Sequence, residues 1–137
     1  MFGKGDLLFT LDREEDAIKA YDACIQKFSN ETDTKIKQQV AEAMFEKGVA
    51  LYTIGRGEDA IKAYDAFIQK FGNETDIEIK RTVALAMHYK FLALANLKRY
   101  DDAIKAFDAC IEKFSNETDK EIQEIVKEAR EKRDKLR

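Results

Sequence analysis

One heptapeptide is written three times along this chain. Asp16–Asp22 reads DAIKAYD, returns at Asp59–Asp65, and returns again at Asp102–Asp108 with Phe107 in place of the tyrosine. The offset is 43 residues both times. The match runs on through Phe28-Ser-Asn-Glu-Thr-Asp33 to Phe71-Gly-Asn-Glu-Thr-Asp76 and Phe114-Ser-Asn-Glu-Thr-Asp119. A second block repeats as well. Met1-Phe-Gly-Lys-Gly5 mirrors Met44-Phe-Glu-Lys-Gly48, and Met87-His-Tyr-Lys-Phe91 is a degraded copy. A period of this size implies an array of like units, each too small to bury its own apolar side alone.

Proline is absent, and Ala, Lys, Glu, Leu and Ile favour helix. In the middle unit, Ala60, Ile61, Tyr64, Phe67, Ile68 and Phe71 recur at spacings of three and four, which puts them on one face of a helix, B, from about Glu58 to Phe71. A longer helix, A, is expected from about Asp33 to Ile54 and again from about Asp76 to Leu97. It carries two apolar stripes. One is Ile36, Val40, Ala43, Met44, Gly48 and Leu51; the other is Phe45, Val49 and Tyr52. A helix with two apolar faces needs a neighbour on each side. Thr75 with Glu78, and Thr118 with Glu121, fit a capping box, and Gly55 fits a helix stop. The turn Leu97-Lys-Arg-Tyr100 has no glycine and could straighten.

These units divide the chain into a partial first unit (1–32), two full units (33–75 and 76–118) and a capping helix (119–137). The first unit is expected to open with a short stretch of helix A, whose Phe2, Leu8 and Phe9 want a neighbour. In the last helix Ile122, Ile125, Val126 and Ala129 keep an inner stripe, while Arg130 and Asp134 replace Met and Gly.

Composition narrows the function. Net charge is −3 with both signs interleaved, so no basic face for nucleic acid is expected. No run approaches the ~20 apolar residues of a membrane span, and no signal peptide is evident, which assigns the cytoplasm by default. His88 is the only histidine, and Cys24 and Cys110 are the only cysteines. One histidine with two remote cysteines makes no metal site. No nucleophile has a matching base and no phosphate-loop pattern occurs. The expectation is no catalysis, no cofactor and no metal. Cys24 and Cys110 share a repeat position two units apart, too distant to bridge, and read as small packing thiols. The three Asn-Glu-Thr triplets, at Asn30, Asn73 and Asn116, read as turn and cap residues rather than glycosylation acceptors.

The unit resembles a tetratricopeptide repeat. Met44, Gly48, Leu51, Ala60, Tyr64 and Phe67 stand at that family's pattern positions, as do Met1, Gly5, Leu8, Ala17, Tyr21 and Cys24, and Met87, Phe91, Leu94, Ala103, Phe107 and Cys110. The unit departs from the pattern by about nine residues beyond the usual ~34, which lengthen helix A. It also departs at Lys4, Lys47 and Lys90, where the family places leucine, and at Phe91, which replaces the packing glycine.

The resemblance implies an all-α, right-handed superhelix, a solenoid of stacked antiparallel hairpins. It further implies a protein-interaction scaffold that binds a peptide or helix along the concave helix-A face. Carried across residue by residue, the family's groove positions are Phe2, Asp6 and Phe9; Glu42, Phe45, Val49 and Tyr52; and Leu85, His88, Leu92 and Ala95. The Lys, Asn and Arg of the family's carboxylate clamp are absent, so a largely apolar strip remains. The alternatives are a self-associating, hairpin-exchanged module joined through its first helix, and an engineered repeat protein without a ligand of its own.

Overall fold

The computed structural model describes the backbone of residues 4–136 and the side chains of residues 13–136. The described residues form α1 (Lys4–Phe28), α2 (Thr34–Thr53), α3 (Gly57–Phe71), α4 (Ile77–Asn96), α5 (Tyr100–Phe114) and α6 (Lys120–Leu136), with no strand among them. Each helix packs on the next in chain order, and α2 also packs on α4 and α4 on α6. Such near-neighbour packing is the helical solenoid that the repeat demands.

The chain turns twice by the same device. After α2, Gly55 takes a φ of +83°, and Arg56 N–H donates to Leu51 O at 2.9 Å. After α4, Lys98 takes a φ of +62°, and Arg99 N–H donates to Leu94 O at 3.0 Å. The glycine-free turn therefore forms, although lysine pays a steric penalty in the left-handed region. The helix starts differ from expectation by one residue. Asp33 and Asp76 are the N-caps of α2 and α4, and it is their carboxylates that accept backbone N–H groups, from Ile36 at 3.2 Å and from Ile79 at 3.1 Å. Thr75 is not the cap. A carboxylate also answers the positive end of the helix macrodipole, which a threonine hydroxyl does only weakly.

The first unit corrects the sequence reading. No turn interrupts it: α1 runs unbroken from Lys4 to Phe28 through Leu11-Asp-Arg13, the segment equivalent to Ile54-Gly-Arg56. Asp12, Arg13, Glu14 and Glu15 contain no helix breaker, so local propensity carries the helix on. The consequence is visible on α1. Ala17, Tyr21, Cys24 and Phe28 are half-buried, whereas Ala60, Tyr64, Phe67 and Phe71 at the same repeat positions are buried.

Polar contacts fix how units stack. Lys47 reaches Asp22 and Lys90 reaches Asp65, each at 2.7 Å, and Arg133 continues the series onto Asp108 at 3.0 Å. These are the lysines standing where the resembled family has leucine. At the other end of the helices, Lys37 pairs with Glu74 and Lys80 with Glu117, while Gln38 meets Asp76 and Arg81 meets Asp119. Half-exposed pairs of this kind contribute little stability each, roughly 0–1 kcal/mol. Their repetition along both edges sets register.

The core is aromatic. Tyr64 of α3 is fully buried between Phe45 of α2 and Tyr89 of α4, with ring centroids 6.3 and 6.4 Å away. Its ring fills the space that a side chain on Gly48 would take: a Cβ there would lie 2.3 Å from Tyr64 Cε1. In the next unit Phe91 stands in the glycine's place and stacks on Phe107, so the same slot is filled from both sides with different shapes. Gly48→Ala is expected to destabilise the fold by about 1–3 kcal/mol, since the ring is held by neighbours and has nowhere to move. Urea denaturation followed by circular dichroism measures this; an unchanged midpoint would mean the ring is not wedged there.

Candidate functional site

Helix A supplies the candidate surface. Phe2 lies outside the described residues, as do the side chains of Asp6 and Phe9. Of the rest, Glu42 is exposed, and Val49, Tyr52, Leu85, Leu92 and Ala95 are half-buried. Phe45 and His88 are buried, at 8% and 7% exposure. These two hold equivalent repeat positions that face the following long helix: Phe45 meets the Tyr89 ring at 5.4 Å, and His88 meets Lys132 of α6. Their first role is to pack one unit on the next.

Between α2 and α4 lies a cleft of about 220 Å³, lined by Gln38, Ala41, Glu42, Phe45, Glu46, Glu78, Ile79, Thr82 and Leu85. It brings together Glu42, Phe45 and Leu85 from the expected set. Tyr52, farther along α2, instead accepts a hydrogen bond from Asn96 Nδ2. The sequence reading missed Glu46, Glu78, Gln38 and Thr82, and with them the acidic character of the strip. A signal was present: Glu42 and Glu46 are one helical turn apart beside Phe45, so the three share one side of the helix. The Glu46 carboxyl has its pKa raised, first by burial and then by the charges of Glu42 and Glu14. The same three carboxylates, after burial, raise the Tyr21 hydroxyl.

His88 is buried among aromatic rings. Its ring centroid is 6.1 Å from that of Phe107, 6.5 Å from Phe91 and 6.2 Å from Tyr89. Its Nε2 is 3.0 Å from Lys132 Nζ. An ammonium can only donate, so Nε2 accepts and the proton of the neutral ring sits on Nδ1, which is buried without a protein partner. Burial lowers the imidazole pKa and the Lys132 charge lowers it further, with Glu128 opposing. The folded protein thus keeps His88 neutral at pH values where the unfolded chain takes up a proton. Stability from this residue is present above the ordinary histidine value of 6.5 and is lost as pH falls below it. Denaturant titrations between about pH 7.5 and pH 5 are expected to show this loss in the parent and a smaller one in His88→Gln. Parallel curves for the two proteins would refute it.

The cysteines carry no evident chemistry. Cys110 is fully buried, and burial pushes its thiol up to about 11, far from a reactive thiolate. Cys24 is half-buried, and both thiols are free. Among the described residues, no group of His, Cys, Asp and Glu could hold a metal ion, and no helix is long and apolar enough to cross a membrane.

Comparison with known proteins agrees with the geometry. No curated protein matches the chain. A family model described as tetratricopeptide repeat matches residues 3–74, and a second tetratricopeptide repeat model matches residues 92–117. The first match alone spans more than half of the sequence and covers α2 and α3, where Gly48 seats Tyr64, so the chain belongs to the tetratricopeptide repeat family.

Proposed function

We propose that this protein is a non-catalytic scaffold that binds a helix or peptide of another protein along its A helices, α2 and α4. Tetratricopeptide repeats generally mediate contacts between proteins. What favours these helices is the set of half-buried apolar side chains they carry, Leu85 at the cleft and Val49, Tyr52, Leu92 and Ala95 farther along. Apolar groups left partly open on rigid helices suit a partner that completes their burial. Phe45 and His88 support the surface from beneath, and Glu42 borders it.

The burial pattern decides which residues can test the idea. Phe45→Ala would open a cavity in the core and cost about 3–5 kcal/mol, so lost binding would report lost folding. Leu85 and Leu92 are better probes because each is partly exposed. Replacing both with serine is expected to weaken binding of a synthetic amphipathic helix about tenfold or more, as one or two buried leucines are worth at least 1.4 kcal/mol. Fluorescence anisotropy reads the affinity, and circular dichroism checks that helicity holds. Equal binding by the folded double variant would place the site elsewhere.

One observation favours a second reading, self-association through α1. The half-buried Ala17, Tyr21, Cys24 and Phe28 form an apolar stripe on α1 that lacks the cover their counterparts receive. Straight exchange of α1 between two copies fits poorly. Gly5 repeats the position of Gly48, and Tyr21 that of Tyr64, yet on a continuous helix those two positions point about 160° apart. A second copy would therefore pack face to face on the Tyr21 stripe. In sedimentation equilibrium this predicts a dimer that Tyr21→Glu dissociates; a monomer across micromolar concentrations would end the reading.

A further inference from the structure

The cleft between α2 and α4 also has a charge, and the charge selects a partner. On the stacking edges, carboxylates are matched. Asp22 and Asp65 hold lysines, Glu74 and Glu117 hold lysines, and Asp119 holds Arg81. At the cleft they form no ion pair, although Glu78 acts at longer range on Arg81, whose main partner is Asp119. Among the described residues, Glu42, Glu46 and Glu78 have no cation within ion-pairing distance, while the floor between them is Ala41, Phe45, Ile79 and Leu85. Two like charges one turn apart on a helix disfavour that helix, and among the described residues no ion pair offsets Glu42 beside Glu46.

We infer that this cleft receives a cationic amphipathic helix of another protein, its apolar stripe against Phe45 and Leu85 and its lysines or arginines against Glu42, Glu46 and Glu78. The spacing argues for a helix over an extended strand. Glu42 and Glu46 are separated by one turn of α2, close to 6 Å, which a helix lying alongside matches with cations four residues apart. An extended peptide places same-side residues about 6.6–6.8 Å apart and presents its alternate residues to solvent, so it meets one wall of the cleft and leaves the other open. Glu46 is half-buried, so water screens a cation paired with it less than on the open surface, where Glu42 and Glu78 lie. The raised Glu46 carboxyl fits the same picture: burial first, and then crowding by Glu42 and Glu14, makes negative charge costly there, a cost that a cation would relieve.

This inference rests on the scaffold reading above, and two variants separate their failures. The probes are two synthetic helical peptides with one shared apolar stripe, flanked by lysine in the first and by glutamate in the second. Anisotropy titrations use the full chain at low salt and at about 0.5 M salt, where the screening length falls below about 5 Å. The lysine peptide is expected to bind, to weaken with salt, and to weaken about tenfold in Glu42→Gln/Glu46→Gln, the loss of roughly two ion pairs. The glutamate peptide is expected to bind far more weakly. If Leu85→Ala weakens the lysine peptide but the glutamine variant does not, the groove stands and the charge inference is overturned. If neither substitution matters, or neither peptide binds, both readings fall.

Discussion

Tyr64 has its ring against the bare backbone of Gly48, with Phe45 on one side and Tyr89 on the other. Three successive helices, α2, α3 and α4, therefore meet at one side chain. Gly48 lets α3 approach α2 closely, and the close approach places the ring where α4 can cover it. Without that contact a hairpin would still pair, but the next long helix would have no defined seat. The phenylalanine pair Phe91 and Phe107 solves the same problem in the following unit with the bulk redistributed. One ring against a bare backbone in the first slot becomes two stacked rings in the second, so the close approach at Gly48 is not repeated at Phe91.

Packing sets how near the units lie, and charge sets how they are aligned. A row of alanines and leucines slides at little cost, whereas an ion pair at each edge of each unit penalises displacement by a turn. The lysines at 47 and 90 look like lapses in the family pattern when only the sequence is in view. In the structure they reach back to Asp22 of α1 and Asp65 of α3, each on the helix before their own. A leucine at the same position would contribute more burial and less alignment.

Much of the fold was legible because it rests on periodicity. The two stripes of helix A marked it as a helix with two neighbours, and α2 and α4 each have them. The single stripe of helix B gave Ala60, Tyr64, Phe67 and Phe71, all now buried. What the pattern could not supply was the competition between local and tertiary preference. Leu97-Lys-Arg99 turns although it has no glycine, because α4 is held between α2 and α6 and the chain must fold back. Leu11-Asp-Arg13 does not turn, because its own propensity for helix goes unopposed. The site was legible only in part for a related reason. Phe45 and His88 were assigned to the groove by their place in the repeat, but each is claimed by the next long helix. That claim depends on helix phase and on how large the neighbour's side chain is.

One repeat position makes the division between fold and function concrete. Glu46, Tyr89 and Lys132 are equivalent, and the last two face the long helix before their own. Tyr89 serves packing, closing over Phe45 and Tyr64. Lys132 donates to His88 and helps to keep that ring uncharged. Glu46 lines the cleft between α2 and α4, half-buried, its carboxyl raised first by that burial and then by Glu42 and Glu14. Positions such as 48 and 64 are fixed because a change in either displaces a ring. A position facing the preceding long helix is constrained only by what that neighbour presents. Where the neighbour presents an aromatic side chain, packing decides the residue. At Glu46 the same position carries a carboxylate that pairs with no cation among the described residues, and that charge is what the proposed partner would meet.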